Sequence, residues 1–445
     1  MKKYVLVFSQ AHLDFRIAEF RSVCSLLNID ASCSRDLSLE KHVFILEFES
    51  DVCVHRILSR AMLIKAAFEL IAVSNNYQHL LEDIRIKSAQ FEKYNSPLQS
   101  FAIRIRSFGK KHDADYCNKI IDKLGDILPL DKCPIDLENA SNVFTVIEEY
   151  ENCDGRDSSL NNIYFGRLIG YGQSRLKNLY NLKERCYIGN TTMDPELSFI
   201  QANLIKANMG SIVLDPFCGT GGLLISAAHF GAAVIGTEIN YQIARAVGRS
   251  SRVGKKFLTD NESVAANFKQ YEIDDRFMSL IIADASRHTM WRCGNNKSDG
   301  IFDAIVADPP YGVREKGRKV GNKERKTGWT LPGNQHEVRY PEKTKYALSS
   351  VFTDLLELAV SVLVIGGRLS FWFPVFRGEY SEAVVPRHDA LTLVANCEQP
   401  LGSKYSRRLL VYEKLRNRRD GERAYVEEDC YSETTFRQRI FVNNN

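Results

Sequence analysis

The chain has 445 residues, 44% of them hydrophobic, and a formal net charge of +4. That is material for two or three packed domains and excludes a disordered chain, and no run approaches the ~18–20 apolar residues of a membrane span. The 11 cysteines are scattered and form no CxxC pair, which argues against a zinc module or other metal site and for free thiols in a reducing compartment, cytosolic or nuclear, with the cytoplasm expected.

MKKYVLVFSQAHLDF has only a short apolar stretch before its first charges, so YVLVFS reads as a first strand and not as a signal peptide. Leu13, Ile17, Phe20, Cys24 and Leu27 then recur at helical spacing. HVFILEF is a second strand, and DVCVHRILSRAMLIKAAFELIAV reads as one long helix. SFAIRIRSF is a strand that sets Arg104 and Arg106 on one face. A polar helix, KKHDADYCNKIIDKLG, the loop DILPLDKCPIDLENASN and two further strands, VFTVIEEY and NIYFGRLIG, close an α+β region over residues 1–160.

Gly166, Gly170 and Gly172 with strand-like flanks suggest a hairpin or turn inside a connector over residues 161–193. Asp194 is placed as a helix N-cap, with Pro195 at the first helical position. From Ser211 the rhythm changes. SIVLDPF, AAVIGTE, MSLIIAD, IFDAIVA, RLSFWF, LTLVANC and RRLLVYE alternate with helical or loop stretches. Such uninterrupted apolar runs suit strands covered on both faces, a doubly wound parallel sheet over residues 194–415. A polar, partly mobile tail follows over residues 416–445.

In such sheets ligands bind beyond the carboxyl ends of the strands. The first run ends in DPFCGTGG, Asp215–Gly222, where glycines permit a tight turn and close approach to a ligand. A dinucleotide fingerprint would need a glycine where Leu224 stands, and an acid before the turn would repel a pyrophosphate. The acid suits a cationic amine, such as that of S-adenosylmethionine. The second run ends in Glu238, placed to accept ribose hydroxyls, and the third in Asp284, placed to accept from an adenine amine. Singly, each acid is better explained as a helix N-cap. Three in succession, the first beside a glycine turn, point to an adenosyl-methionine pocket.

The fourth run ends in DPPY, Asp308–Tyr311, where the prolines stop the strand. An exocyclic amine on a base is a poor nucleophile because its lone pair is delocalised into the ring. Oxygen acceptors from Asp308 and the Pro309–Pro310 segment can hold its hydrogens, and Tyr311 can stack on the ring, worth ~1–3 kcal/mol. The following loop, REKGRKVGNKERKTG, crowds Arg314, Lys316, Arg318, Lys319, Lys323, Arg325 and Lys326 against two glutamates. A solvated loop is the ordinary reading of such a charge run, but its attachment to a reactive strand end favours an RNA backbone clamp.

DPFCGTGG, the acid-ended strands and DPPY resemble class I methyltransferases acting on nucleobase amines. The longer stretches Arg185–Phe199 and Asp308–Gly321 are similar to a narrower family, the catalytic subunit of eukaryotic tRNA (guanine-N2)-methyltransferase acting at position 10. The resemblance implies a Rossmann-like domain preceded by a tRNA-binding region with a THUMP domain, whose order SFAIRIRSF, VFTVIEEY and YFGRLIGYG fit. It also implies S-adenosylmethionine as cofactor, tRNA as substrate, and a small zinc-binding activator protein as partner, seated on an apolar patch beside the Glu238 strand. Carried over by position, Thr191, Thr192, Pro195, Asp215, Phe217, Gly219, Thr220, Glu238, Ile239, Asp284 and Ala285 hold the cofactor. Asp308, Pro309, Pro310 and Tyr311 form the catalytic loop. Arg104, Arg106, Arg314, Lys316, Arg318 and Lys319 are the RNA-binding candidates. Two other enzymatic readings remain, an adenine-N6 methyltransferase and, disfavoured by Leu224, a nicotinamide dehydrogenase. A non-catalytic RNA-binding scaffold is the third alternative.

Overall fold

A computed structural model describes residues 1–30, 37–151, 159–291, 300–311, 317–321 and 343–427. It divides into two compact units, Met1–Arg175 and Leu176–Asn445. Among the described residues no helix is long and apolar enough to cross a membrane.

The first unit contains β1 (Lys2–Phe8), α1 (Leu13–Leu27), β2 (Val43–Phe48), α2 (Asp51–Leu58), β3 (Ile64–Ser74) and α3 (Tyr77–Ile86). It continues through β4 (Phe101–Phe108), α4 (Ala114–Gly125), β5 (Asn142–Tyr150) and β6 (Leu160–Tyr171). The strands form one six-stranded sheet in the order β2-β1-β3-β6-β5-β4. Strand alternation divides β1 between two cores. Tyr4, Leu6 and Phe8 meet Phe20 and Val23 of α1 and Ile57 of α2, while Val5 and Val7 join Phe68 and Ile147. A further core packs Leu80 and Ile84 of α3 and Ile120 and Leu124 of α4 on Phe144 and Phe165.

Three expectations for this region change. The long helix is really α2 followed by β3, and β3 is a central strand, antiparallel to β1 and β6. Its Ala/Leu/Glu content favours helix locally, but pairing on both edges overrides propensity. The buried face of α1 is rotated from the expected stripe: Leu13 is 40% exposed, while Arg16 and Glu19 are buried. Both have partners, as burial of polar groups requires. Arg16 donates to the carbonyls of Ser9 and Lys41, and Glu19 accepts the backbone N–H groups of Met62 and Leu63. Finally, residues 160–171 are no hairpin. They are one strand, paired with β3 and β5, so the division falls after Arg175 and not at residue 160. The glycines serve close backbone approach: a Cβ at Gly166 would lie 2.6 Å from Glu69 O.

The second unit begins with α5 (Leu176–Leu179), α6 (Pro195–Leu204), β7 (Ile212–Asp215), α7 (Gly222–His229), β8 (Ala233–Glu238), α8 (Tyr241–Ala244) and α9 (Val264–Gln270). Then come β9 (Phe277–Ile282), β10 (Phe302–Ala307), the ribbon β11 (Arg318–Val320) and β12 (Lys343–Lys345), α10 (Leu348–Val362), β13 (Leu363–Phe376), β14 (Leu391–Pro400) and β15 (Tyr405–Lys414). Asp194 caps α6 as expected, its Oδ1 accepting from Glu196 N at 2.8 Å and Leu197 N at 3.4 Å. The seven-stranded sheet runs β14-β15-β13-β10-β7-β8-β9. Its first five strands in sequence pair in parallel, and the last two enter as an antiparallel hairpin, β15 lying between β13 and β14. Phe352, Leu355 and Leu356 of α10 pack with Ile305, Leu369 and Phe371 of the sheet. Residues 415–427 do not trail away: Arg387 and Tyr425 exchange backbone hydrogen bonds, and Glu357 of α10 receives Arg418 and Ala424 N.

From β7 the strand order moves outward through β8 to β9, then returns to β10 on the other side of β7. The crevice at such a switch point opens beyond the carboxyl ends of β7 and β10. There the sequence places Asp215 and Asp308.

Candidate active site

β7 delivers Asp215 into a turn made possible by Gly219 at φ 52° and Gly221 at φ 83°, the left-handed region that suits glycine. Asp215 is 1% exposed, and its Oδ1 accepts Phe217 N at 2.9 Å. Burial pushes its carboxyl well above the usual range, and the negative charges of Asp308 and Glu238 add to the effect. Glu238, at the end of β8, ties the turn in place: its Oε2 accepts Gly219 N at 3.1 Å and its Oε1 accepts Asn240 N at 2.6 Å. Asp284 lies two residues past β9 and is 5% exposed. Its Oδ1 accepts Ser286 N at 3.0 Å and Ser286 Oγ at 2.8 Å, and its Oδ2 accepts Val320 N of β11 at 2.6 Å.

These three strand ends share one cleft of about 1040 Å³, whose wall includes Thr191, Thr192, Asp215, Phe217, Gly219, Thr220, Glu238, Ile239, Asp284, Ala285, Asp308, Pro310 and Arg318. The connector is fastened to the glycine turn. Thr192 Oγ1 accepts Gly189 N at 2.8 Å and stands 3.1 Å from Thr220 Oγ1. The ribbon borders the cleft opposite: Lys343 Nζ donates to Ile239 O at 2.7 Å. Burial pushes the Lys343 ammonium below its ordinary pKa, while Glu238 opposes that shift.

Asp308 follows β10 directly, and Tyr311 donates its hydroxyl to Asp308 Oδ1. Burial and the Asp308 carboxylate push the Tyr311 phenol well up, so it stays protonated as a donor. Pro195, Pro309, Tyr311 and Lys319 stand outside the cleft wall: Pro195 and Pro309 are buried, and Lys319 lies 5.4 Å from the Tyr346 ring. Arg314, Lys316, Lys323, Arg325 and Lys326 lie outside the described residues. In the first unit Arg104 is exposed and donates to Leu137 O at 2.9 Å, and Arg106 donates to Tyr171 OH at 3.1 Å.

One neighbour of Asp308 escaped the motif reading. Arg407 of β15 places Nη1 3.9 Å from Asp308 Oδ2, with its guanidinium 4.1 Å over the Trp372 ring. Its Nε donates to Gln399 Oε1 at 2.6 Å. Adjacent strand residues point to opposite faces, and Arg408 turns elsewhere, to Asn396 and the face of Tyr380. The available signal was the RR pair in the last apolar run, which marks one arginine for each face of that strand.

A Rossmann-like sheet with acids at successive strand ends, a glycine turn and a DPPY loop defines a class I methyltransferase domain. Family models agree in both units: a Tmrp11 THUMP N-terminal domain matches residues 2–174, and an RMKL-like methyltransferase domain matches residues 183–324. The tRNA (guanine(10)-N(2))-methyltransferase TRMT11 of Gallus gallus is 35% identical, over 99% of this chain and 95% of that protein. TRMT11 of Homo sapiens is 38% identical over 94% and 89%, and the tRNA (guanine(10)-N(2))-methyltransferase of Saccharomyces cerevisiae is 32% identical over the full length of both. The chain belongs to the tRNA (guanine(10)-N(2))-methyltransferase family.

Proposed function

We propose that this chain transfers a methyl group from S-adenosylmethionine to the N2 amine of guanine 10 in tRNA, as a catalytic subunit working with a small zinc-binding activator protein. One observation carries the reading: Asp308 opens into the same cleft as Asp215, Glu238 and Asp284, at the ends of neighbouring strands. The donor set fits the cofactor. Asp215 is a buried acid suited to the amino group, the carboxylates of Glu238 and Asp284 suit ribose and adenine, and Thr191 and Thr192 border the glycine turn. Bound S-adenosylmethionine supplies an electrophilic methyl carbon and a thioether leaving group.

The protein's own residues prepare the nucleophile. Asp308 and the carbonyls beside Pro309 accept hydrogens of the N2 amine, which makes its nitrogen more tetrahedral and turns its lone pair toward the methyl carbon. Tyr311 holds the Asp308 carboxylate in place through its hydroxyl. Positioning of this kind supplies much of a bimolecular barrier reduction. Once the N–C bond forms, the surplus N2 proton passes to Asp308 or to water.

The activator reading is supported by apolar surface on β9, the last strand of the sheet among the described residues. β9, next to β8, exposes Met278 at 56% and Ile282 at 41%. Patches of this kind mark interaction sites.

The test is co-expression with the small zinc-binding partner, incubation with unmodified tRNA and cofactor, and nucleoside mass spectrometry with site mapping. N2-methylguanosine at position 10 is expected. Methyladenosine would replace this reading with the adenine-N6 one, and failure to bind cofactor even with the partner present would favour a scaffold.

A further inference from the structure

We infer that the basic hairpin between α8 and α9, residues 245–258, is an RNA-binding surface that holds the tRNA backbone at the rim of the cleft and stacks Phe257 on an exposed base; this rests on the tRNA reading above. Leu258 N donates to Gly248 O at 3.0 Å and Ser250 N to Lys256 O at 3.3 Å, which sets Arg249 opposite Phe257 in an antiparallel bridge. Two contacts fasten this hairpin to its neighbours. Arg252 donates Nη1–H to Lys183 O at 3.0 Å and Nη2–H to Cys186 O at 3.4 Å. Lys255 Nζ stands 3.9 Å from Glu262 Oε1, which also accepts Thr259 N at 3.3 Å and Thr259 Oγ1 at 3.1 Å. Arg245, Arg249 and Lys256 are exposed, and Arg249 and Phe257 both border the cleft. Phe257 is 59% exposed, with Lys256 Nζ 5.5 Å from its ring centroid.

The charge is local. Residues 245–258 hold Arg245, Arg249, Arg252, Lys255 and Lys256 and no Asp or Glu, in a chain whose net charge is only +4. The cleft itself is acidic: Glu238, Asp284 and Asp308 border it. A phosphodiester backbone brought against those carboxylates is repelled unless cations at the rim neutralise it. Arg249 supplies such a charge from the hairpin, as Arg318 and Lys343 do from the ribbon. A solvated loop would account for the charges but not for a large aromatic ring exposed among them at the cleft wall. A base that reacts in a cleft has to leave its stack, which costs a few kcal/mol. A flat ring beside a cation offsets that cost by stacking on an unstacked base whatever its sequence.

The experiment titrates the full chain, co-expressed with its small partner, with unmodified tRNA at several salt concentrations. Arg249→Gln combined with Lys256→Gln should lower tRNA affinity roughly tenfold and reduce the slope of log affinity against log salt by about 1–2. Phe257→Ala should lower affinity roughly 5–100-fold with the slope unchanged, since it removes stacking and no charge. Phe257→Trp, which keeps an aromatic face, should retain binding. Cofactor affinity, measured by calorimetry on the same samples, should stay at the wild-type level and shows that each variant is folded. Wild-type affinity and slope in both variants would overturn the inference. Loss of cofactor binding with tRNA binding intact would make the hairpin a cover for the cofactor, and loss of the co-purifying partner would make it that protein's seat; either result also overturns it. If the wild type binds tRNA with this dependence but forms no N2-methylguanosine, the proposed activity falls and the RNA surface stands. A wild type that does not bind tRNA removes both.

Discussion

Asp215 and Asp308 share a cleft but face different tasks, and their surroundings separate them. Asp215 is the more deeply buried, with its carboxyl pushed well up by desolvation. An acid with a raised folded pKa adds stability below its unfolded value and withdraws it as pH rises through the folded value. Asp215→Asn should therefore raise the melting temperature of the free protein at neutral and alkaline pH, read by scanning calorimetry, while weakening cofactor binding. In the wild type, cofactor affinity should climb with pH as Asp215 ionises to meet the cationic amine, and titrations in buffers of different ionisation enthalpy should show proton release. Asp308→Ala should remove most turnover, at least 100-fold as for loss of a positioned catalytic group, with cofactor affinity near normal; swapped phenotypes would reverse the two roles. Both acids were visible in the sequence because a strand end and its first turn are local. Arg407 was not, because its approach to Asp308 depends on how β15 enters the sheet.

At the level of elements, hydrophobic rhythm located β7, β8 and β10 well, since strands covered on both faces carry continuous apolar runs; it also found β9, an edge strand whose apolar residues stay half exposed. It failed at β3, where IKAAFELIAV has helical composition and only its neighbours β1 and β6 make it a strand. The glycines of β6 misled in the same way. Gly166 marks a close approach to β3 and Gly170 one to Leu58 of α2, which a sequence without its packing partners cannot reveal. Gly166→Ala should consequently cost about 1–3 kcal/mol, as overpacking does, because its methyl would press on the Glu69 carbonyl; denaturant titration of the first unit's transition measures it. β11 was read only as part of a charged loop and β12 was not read at all, and the bond from Val320 N to Asp284 was beyond sequence reasoning. Val320→Pro would delete that donor, and reduced adenosine affinity without loss of the methionyl contribution is the expected outcome.

Over the whole molecule, a net charge of +4 is too mild to attract RNA unaided. Attraction must come from local clusters, and the exposed Arg318 at the cleft wall belongs to one. Replacing Arg318 and Lys319 together by glutamine should weaken tRNA binding and lower the slope of log affinity against log salt by about 1–2. An unchanged slope would count against the clamp. The placement of the last hairpin has a further consequence for synthesis. Among the described residues β14 pairs only with β15, and β15 also covers the outer edge of β13. While a ribosome is still translating residues before 405, β14 therefore has no partner in the sheet and β13 presents a bare edge. A nonsense mutation just upstream of β15 would yield a polypeptide that retains every acid of the nucleoside cleft, lacks the arginine beside Asp308, and carries an open strand prone to aggregate.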